Sequence, residues 1–209
     1  MKHLFIFGTG GFGREALTCF IDICKSQNVD YTKLASFIVD DEYFNETSLM
    51  GISIIKSSEL RVQEGEVFIA IGDPFIRQEI VNKLPANTIF SKLIHPSAIV
   101  SDWVNIGEGS IVCAGSILTT QINIGKHAHI NLNTTIGHDC NIGDFFTSSP
   151  GVNISGNCSI GNRVFVGTNT SIRERVNICN DSVIGMSSSV LKSIEQPGVY
   201  FGNPAQKIN

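Results

Sequence analysis

The sequence predicts two domains of different fold class: a small α/β domain over residues 1–90, then a parallel β-helix over residues 91–209 that ends in a short C-terminal tail. Three observations lead to this prediction. Apolar strands alternate with helical segments in the first third of the chain, a glycine-rich turn follows the first strand, and an aliphatic residue recurs at every sixth position in the rest.

The composition excludes several classes of function. Only 16% of the 209 residues are charged, and 15 basic side chains against 19 acidic ones give a net charge of -4, so no nucleic-acid partner is expected. No apolar run approaches the roughly 20 residues that span a bilayer. The short apolar run after Lys2 leads into glycines without a cleavage site, which favours a buried first strand over a signal peptide. We therefore expect a cytoplasmic protein without a membrane partner.

The six-residue repeat, in which every sixth residue is aliphatic, extends from Ile94 to Val190 and has one exception, Ser148. A period of six fits neither an α-helix nor a two-sided strand, but it fits a coil in which each hexad is one short strand and one corner. Three hexads close a triangular turn, so residues 18 apart should stack. Glycine follows many of the aliphatic positions, where we expect it to tolerate the backbone angles of a corner: Gly107, Gly125, Gly137, Gly143, Gly161, Gly167 and Gly185.

Ser148 and the cysteines receive structural interpretations. Phe146 occupies the small inward position just before Ser148, so its large ring should compensate for the missing aliphatic side chain. Cys140 and Cys158 are 18 residues apart and both face inward, within reach of a disulfide; in a reducing compartment, buried free thiols are the expected state. No cysteine has a zinc-ligand spacing to a histidine, so we predict no metal site.

The first 90 residues alternate strands with helices. Strands are predicted over 3–8, 35–39 and 67–71, and helices over about 14–26 and from Pro74, with Asp73 as the cap of the second helix. This alternation implies a small parallel sheet of half-Rossmann type. Ninety residues supply one half of a dinucleotide-binding domain, which favours a single nucleotide over NAD.

The turn after the first strand has the pattern G-x-G-x-x-G over residues 8–13. Such a turn places backbone N–H groups and a helix N-terminus where a phosphate would bind. Asp40 or Asp41, at the end of the second strand, can accept hydrogen bonds from a sugar or a base. A tight glycine turn without any ligand is the alternative interpretation.

Together these features resemble the bacterial sugar acetyltransferases of the PglD/NeuD/VioB-like group, which are hexapeptide-repeat acyltransferases that use acetyl-CoA. The resemblance spans essentially the whole chain. It is most specific at GTGGFG (8–13), Asp40-Asp41, AIGD (70–73), GHDCNIGDF (137–145) and GNPAQKI (202–208). It implies a half-Rossmann domain that binds a nucleotide sugar and a left-handed β-helix that assembles as a homotrimer, with acetyl-CoA in the groove between neighbours.

The resemblance also implies the catalytic residues. His138 matches the general base of the family, and the adjacent Asp139 matches the acidic residue that supports it. Both should point outward, because they lie between the inward Ile136 and Cys140. An imidazole titrates close to the working pH and suits the removal of a proton from an attacking amine. Backbone N–H groups near Gly143 or a neighbouring turn are expected to stabilise the oxyanion.

Two sets of binding residues carry over from the family. Asn131 matches an asparagine near the acceptor amine, and the glycine turn should contact the diphosphate. The set implied for the nucleotide sugar comprises Gly10, Gly11, Phe12, Gly13, Asp40, Asp41, Gly72 and Asn131. The set implied for acetyl-CoA comprises Thr147, Thr168 and Met186.

Two positions depart from the family pattern. Phe12 and Thr147 stand where many related enzymes carry histidine, and this bears on the acceptor and on part of the acetyl-CoA site. The remaining histidines match no catalytic position. We expect packing roles for His3 and His95 and surface positions for the pair at 127 and 129.

The expected activity is acetyl-CoA-dependent N-acetylation of a nucleotide-linked (UDP-, dTDP- or GDP-) 4-amino-deoxy sugar for surface-glycan synthesis. Two alternatives stay open. One is an O-acetyltransferase that acts on a sugar hydroxyl, as in sialic acid, with the same base. The other is a non-catalytic nucleotide-sugar-binding scaffold in which the β-helix serves only to form trimers.

Overall fold

The computed structural model describes residues 1–208 and begins with a five-stranded sheet between two helices. The sheet has the order β3-β4-β2-β1-β5, and only the β3–β4 pair is antiparallel. The predicted parallel α/β domain is therefore confirmed, with β3 and β4 in addition to the three predicted strands. The elements are β1 (His3–Phe7), α1 (Gly11–Ser26), β2 (Ala35–Val39), β3 (Ser48–Leu49), β4 (Ile52–Lys56), β5 (Gly65–Ile69) and α2 (Pro74–Lys83).

The second helix begins where the sequence predicts. The Asp73 side chain accepts hydrogen bonds from the backbone N–H groups of Phe75 (2.8 Å) and Ile76 (3.0 Å), and Pro74 occupies the first turn. This cap satisfies two N–H groups that have no partner inside the helix. The cap also sets the direction in which α2 leaves β5.

The rest of the described chain coils into a triangular prism of short strands. They are β6 (Leu93–Ile94), β7 (Ile99–Val100), β8 (Val104–Ile106), β9 (Ile111–Val112), β10 (Ile117–Leu118), β11 (Ile122–Ile124), β12 (His129–Ile130), β13 (Thr135–Ile136), β14 (Asn141–Ile142), β15 (Thr147–Ser148), β16 (Asn153–Ile154), β17 (Ser159–Ile160), β18 (Phe165–Val166), β19 (Ser171–Ile172), β20 (Asn177–Ile178), β21 (Ser182–Ile184) and β22 (Ser189–Val190). A hairpin of β23 (Gly198–Phe201) and β24 (Gln206–Ile208) follows.

Three sheets form the faces of the prism. The first face stacks β6-β9-β12-β15-β18-β21 and continues into the hairpin, the second stacks β7-β10-β13-β16-β19-β22, and the third stacks β8-β11-β14-β17-β20. Paired residues in neighbouring coils are 18 apart, as Ile117 and Thr135 are. The predicted left-handed β-helix with three hexads per turn is therefore confirmed.

The interior of the prism is built as the repeat predicts. From Val112 to Val190 the residues of the repeat are buried, and Phe146 and Ser148 are both fully enclosed. The Ser148 hydroxyl is hydrogen-bonded there, because it accepts from the backbone N–H of Asn131 at 3.1 Å. All six cysteines are free thiols, and the N–H of Cys158 donates to Cys140 Sγ at 3.4 Å.

The corner glycines have a different role from the one predicted. The left-handed backbone conformation falls two residues later, for example at His127 (φ 54°), after Gly125, and at Asp139 (φ 59°), after Gly137. The glycine after the aliphatic residue instead faces the backbone of the next coil: a β-carbon on Gly137 would lie 2.7 Å from the amide nitrogen of Gly156. The expectation about backbone angles is wrong, because the constraint at these positions is space.

The first face carries the N-terminal domain. Helix α1 lies between the sheet and this face, and its Leu17 and Phe20 share one apolar cluster with the outward-facing Leu93 and Ile111. The third face instead carries an exposed row of asparagines that hydrogen-bond one another along the prism: Asn105, Asn123 and Asn141. The division at residues 90 and 91 stays a prediction, since Phe90 still pairs with Val67 of β5.

His127 and His129 lie in this domain interface, and the prediction that they are surface residues is wrong. Both are buried, because the N-terminal domain covers the part of the first face that carries them. His127 stacks on Phe145, and His129 Nε2 lies 3.1 Å from the carbonyl oxygen of Ile69. Burial, with the nearby charge of Arg77, lowers the pKa of His127 to about 4 and that of His129 well below its usual value.

Among residues 1–208, no group of three or more histidine, cysteine or acidic side chains is placed to hold a metal ion. Within the same range, neither helix combines the length and the hydrophobicity that a membrane span requires.

We expect the buried histidines to make the protein acid-labile. The unfolded chain protonates His127 near its usual pKa of 6.5, whereas the folded chain protonates it only near 4, so stability falls as the pH drops through this window. His127 alone should remove about 2 kcal/mol from the free energy of unfolding between pH 7 and pH 5. Urea unfolding at both pH values and one protein concentration measures this loss. A His127→Phe variant keeps the ring stack without the titration; an equal loss in that variant would contradict the assignment.

Candidate active site

The glycine-rich turn opens helix α1 with unpartnered donors. The helix begins at Gly11, earlier than predicted, and its first backbone bond runs from the Arg14 N–H to the Gly10 carbonyl. The N–H groups of residues 11–13 are therefore free of intrahelical partners. A β-carbon on Gly10 or Gly11 would meet nothing within 4 Å. This open helix N-terminus is suited to an anion such as phosphate.

The acidic pair lines a cleft of about 620 Å³ at the same edge of the sheet, between the end of β2 and helix α2. Asp41 accepts hydrogen bonds from the Ser58 hydroxyl (2.6 Å) and the Ser58 N–H (3.1 Å), and these bonds hold its pKa below the usual range. Asp41 thereby secures the loop that forms one wall. Asp40 makes no capping bond to the short helix Asp41–Tyr43 that follows it, so its carboxylate is the better placed to receive a ligand.

A second cleft, of about 310 Å³, lies between the two domains. Gly11, Phe12 and Gly72 line it from the N-terminal domain, and Asn131 and Thr147 line it from the prism. The structure thus brings together five of the residues predicted to bind substrates. Other residues that line it are Glu15, His129, Ser149, Pro150 and Phe165.

Two residues of this cleft are more constrained than the sequence suggests. The ring of Phe12 packs on that of His129, with centroids 4.7 Å apart. The Thr147 hydroxyl donates to the Gly72 carbonyl (3.1 Å) and accepts from Arg77 (2.9 Å). The structure thus shows that Thr147 of the prism contacts Gly72 and Arg77 of the N-terminal domain. A contact between Thr147 and acetyl-CoA stays a prediction.

His138 and Asp139 form an outward-facing pair on the prism. Their side chains are 58% and 45% exposed, and His138 Nδ1 lies 2.7 Å from Asp139 Oδ2. Because a carboxylate only accepts hydrogen bonds, Nδ1 carries the proton and Nε2 keeps its lone pair. Asp139 has a left-handed backbone (φ 59°), which aspartate tolerates better than most residues. The pair therefore presents a basic nitrogen to the outside, as predicted.

Gly156 provides the space for this imidazole. It lies one coil below His138, and a β-carbon on it would be 2.7 Å from Nε2. The other residues of the same column, each 18 positions apart, have side chains: Asp102, Thr120 and Glu174. The one glycine among these positions thus lies in the coil next to the imidazole ring of His138, where a side chain would collide with the ring.

The predicted residues occupy two different edges of the prism. Asn131, Thr168 and Met186 lie between strands of the first and second faces, whereas His138 lies between strands of the second and third faces. One whole face, that of β13, separates the Asn131 edge from the His138 edge within a single chain. The structure of one chain therefore does not bring these two groups into one cleft.

The N–H of Gly143 itself does not fit the expected oxyanion site, and the alternative, a neighbouring turn, stays a prediction. The Gly143 N–H donates to the Ile160 carbonyl at 2.8 Å, as part of the regular coil. It also lies on the edge between the third and first faces, away from His138. This N–H has no capacity left for a substrate oxygen.

Arg77 is a residue of the cleft region that the sequence reasoning missed. It is fully buried on α2 and binds backbone groups of both domains. Its only signal in the sequence is an arginine in the apolar stretch around Ile76 and Ile80, next to the AIGD motif.

Comparison with known families and structures agrees with this architecture. Residues 3–84 match the PglD N-terminal domain. WeeI from Acinetobacter baumannii AYE is 27% identical, with a TM-score of 0.89 and full coverage of both chains. The acetyltransferase domain of PglB from Neisseria gonorrhoeae FA1090 is 25% identical, with a TM-score of 0.88 and full coverage of both chains. No curated protein matches the sequence.

A third similar structure carries ligands. PerB from Caulobacter crescentus, in complex with CoA and GDP-perosamine, is 25% identical over 100% of this chain and 98% of its own, with a TM-score of 0.87. The fold thus defines the class, which is that of the hexapeptide-repeat proteins with an N-terminal α/β domain. More particularly, residues 3–84 match the model of the PglD N-terminal domain, and the chain as a whole is similar to the PglD-like sugar acetyltransferases.

We expect Gly156→Ala to displace the imidazole of His138 without unfolding the protein. The backbone of Gly156 is not left-handed, and its column accepts side chains in other coils, so the free energy of unfolding should change by no more than about 0.5 kcal/mol. The ring-proton NMR signals of His138 should shift. Thr120→Ala, in the same column one coil above, is the matched control and should leave them in place. Unchanged signals in the Gly156 variant would refute the role of this glycine.

Proposed function

We propose that this protein transfers the acetyl group of acetyl-CoA to the amino group of a nucleotide-linked amino sugar. The observation that carries the proposal is the full-length similarity to PerB, an N-acetyltransferase whose structure holds CoA and GDP-perosamine, together with an exposed His138–Asp139 pair on the prism. The PglB acetyltransferase domain, solved with acetyl coenzyme A, supports the same acyl donor.

The cleft at Asp40 and the interdomain cleft together suit the nucleotide sugar. At the carboxyl edge of the sheet, β2 ends at the cleft of Asp40, β1 at the glycine turn, and β5 near Gly72 of the interdomain cleft. A nucleoside at Asp40 would then place its diphosphate at the N-terminus of α1 and its sugar beside Asn131. Glu15 adds a carboxylate to the interdomain cleft, where the sugar would lie. Its negative charge favours the binding of a sugar with a positively charged amine over one with a neutral hydroxyl.

His138 supplies the proton chemistry. Its Nε2 accepts the proton that the amine loses when the nitrogen bonds to the acetyl carbonyl carbon, and Asp139 stabilises the imidazolium through Nδ1. When the carbon–sulfur bond breaks, the proton can pass from Nε2 to the leaving thiolate. The transfer is direct, so no acyl-enzyme is needed.

The separation of the two edges supports a trimeric site. In a closed ring built around the second face, the Asn131 edge of one subunit meets the His138 edge of the next. We assign these contacts to the second face, because the N-terminal domain covers the first and because the second exposes aliphatic side chains in its first two coils, although its later coils are polar. Ile99 and Ile117 project from the second face with 64% and 38% of their surface exposed. Acetyl-CoA would then lie in the groove between subunits, near Thr168 and Met186.

His138→Ala should lower kcat for acetyl transfer by about 10² to 10⁴, because it removes the general base. The KM for acetyl-CoA and the oligomer size should stay unchanged. Turnover is measured with acetyl-CoA and a panel of UDP-, dTDP- and GDP-linked amino sugars, and the product is tested for an amide. Full activity of the folded variant would end the assignment of the base, and an ester product from an acceptor without an amine would replace N-acetylation by O-acetylation.

Mixed trimers test the shared site. His138→Ala destroys the base, and Gly11→Asp places a negative charge at the phosphate end of α1 while favouring the helix itself. Each variant alone should be inactive. A trimer that contains both has one junction with an intact glycine turn on one side and an intact His138 on the other, so it should recover about one third of the wild-type activity. Co-expression with two affinity tags isolates such trimers; no recovery would place the whole site within one chain.

A further inference from the structure

Arg77 joins the two domains with every N–H of its guanidinium group. Nε donates to the carbonyl of His127 at 3.0 Å, and Nη1 donates to the carbonyls of Ile71 (2.6 Å) and Gly72 (3.1 Å). Nη2 donates to the carbonyl of Phe145 (2.8 Å) and to the Thr147 hydroxyl (2.9 Å), with the Phe146 carbonyl at 3.2 Å. Ile71 and Gly72 belong to the N-terminal domain, and the other acceptors belong to the prism.

This arrangement is unusual because no carboxylate forms an ion pair with the buried guanidinium within residues 1–208. The charge is balanced by the hydrogen-bonded carbonyl dipoles, which are worth more in a buried interface than in water, and by the nearby carboxylate of Asp73. Removing one partner of such a buried, charge-assisted network leaves polar groups without a bond. The interface is therefore built for a planar, five-donor cation at this position.

The network closes a ring across the interdomain cleft. Arg77 binds both the Gly72 carbonyl and the Thr147 hydroxyl, and the same hydroxyl donates to the Gly72 carbonyl at 3.1 Å. Gly72 and Thr147 line the cleft from opposite domains, beside Asn131. Arg77 and Thr147 thus join the two walls of the cleft directly.

We propose that Arg77 is a positioning residue that sets the width of the interdomain cleft and thereby the placement of the acceptor sugar. The inference rests on the proposed function for the identity of the ligand. Arg77 touches no substrate, since it is enclosed; it acts through Gly72 and Thr147. A lysine cannot replace it, because a single ammonium cannot reach acceptors in both domains with a planar fork.

The first test compares kinetic constants. Arg77→Met should raise the KM for the nucleotide sugar by at least about tenfold, as expected for the loss of charge-assisted hydrogen bonds. The KM for acetyl-CoA should stay within about twofold, because Arg77 makes no hydrogen bond to Thr168 or Met186 and because Thr147 keeps its bond to the Gly72 carbonyl. Arg77→Lys should not restore the low KM. Thr147→Val, which removes the hydroxyl with little change of shape, should show a smaller rise and remains informative if the Arg77 variants fail to fold.

A matched control is available at the far end of the same interface. His95 Nε2 lies 3.1 Å from Asp22 Oδ2, also across the two domains but away from the cleft. His95→Gln should leave both KM values unchanged. A parallel rise of both KM values in Arg77→Met, a rescue by lysine, or the same selective effect in His95→Gln would overturn the proposal.

A second test needs no substrate, so its result is independent of the proposed function. Hydrogen exchange of the wild-type protein and of Arg77→Met is compared by mass spectrometry. Faster exchange should be confined to residues 71–77 and 145–149, the two walls that the guanidinium joins. Unchanged exchange in both segments would show that Arg77 does not hold them, whatever the ligand proves to be. If exchange changes as expected but the wild-type protein binds no nucleotide amino sugar, then the proposed function fails and the positioning role of Arg77 stands.

Discussion

The docking of the N-terminal domain on one face of the prism is the contact on which the arrangement of the site depends. A coil of hexads has three faces of similar backbone geometry, and nothing in that geometry distinguishes them. Covering the first face with the N-terminal domain removes this equivalence. It buries two histidines, places the interdomain cleft beside Asn131, and leaves Ile99 and Ile117 of the second face exposed.

The prism contributes rigidity and repetition to the chemistry. From residue 109 to residue 187 the hexads share a left-handed residue at the same corner position, so a functional group such as His138, which precedes one of them, can be placed at a corner without a special loop. The coil of His138 differs from the others in the residue below it. Gly156 has no side chain and so leaves room for the imidazole ring, whereas the corresponding residues of other coils have side chains. The α/β domain contributes the complementary features, which are an open helix N-terminus and clefts at the end of a parallel sheet.

Much of this organisation was predictable from the residues. The period of six specifies which side chains enter the prism and that residues 18 apart stack, and the outward position of His138 and Asp139 follows directly. The cap at Asp73 and the strands β1 and β2 are likewise local patterns. The glycines were harder, because the sequence shows that a corner needs glycine but not whether the reason is backbone angle or space.

The wrong predictions for His127 and His129 and the failure to predict the role of Arg77 share one cause, which is the contact between the two domains. Periodicity separates inward from outward positions, but it does not tell which outward face another domain will cover. The chemistry of an outward histidine is therefore decided by a contact between residues far apart in the chain, such as Arg77 with the carbonyl of His127, 50 positions away.

The amino-acid sequence thus settled the two folds, the inward-facing aliphatic residues of the prism, and the position of an imidazole beside a carboxylate. All of these follow from residues that lie within a few hexads of one another. The three-dimensional arrangement alone settled which face is buried, which histidines are neutral and which arginine joins the domains. Those properties depend on desolvation and on hydrogen bonds between distant segments, and no local pattern encodes them.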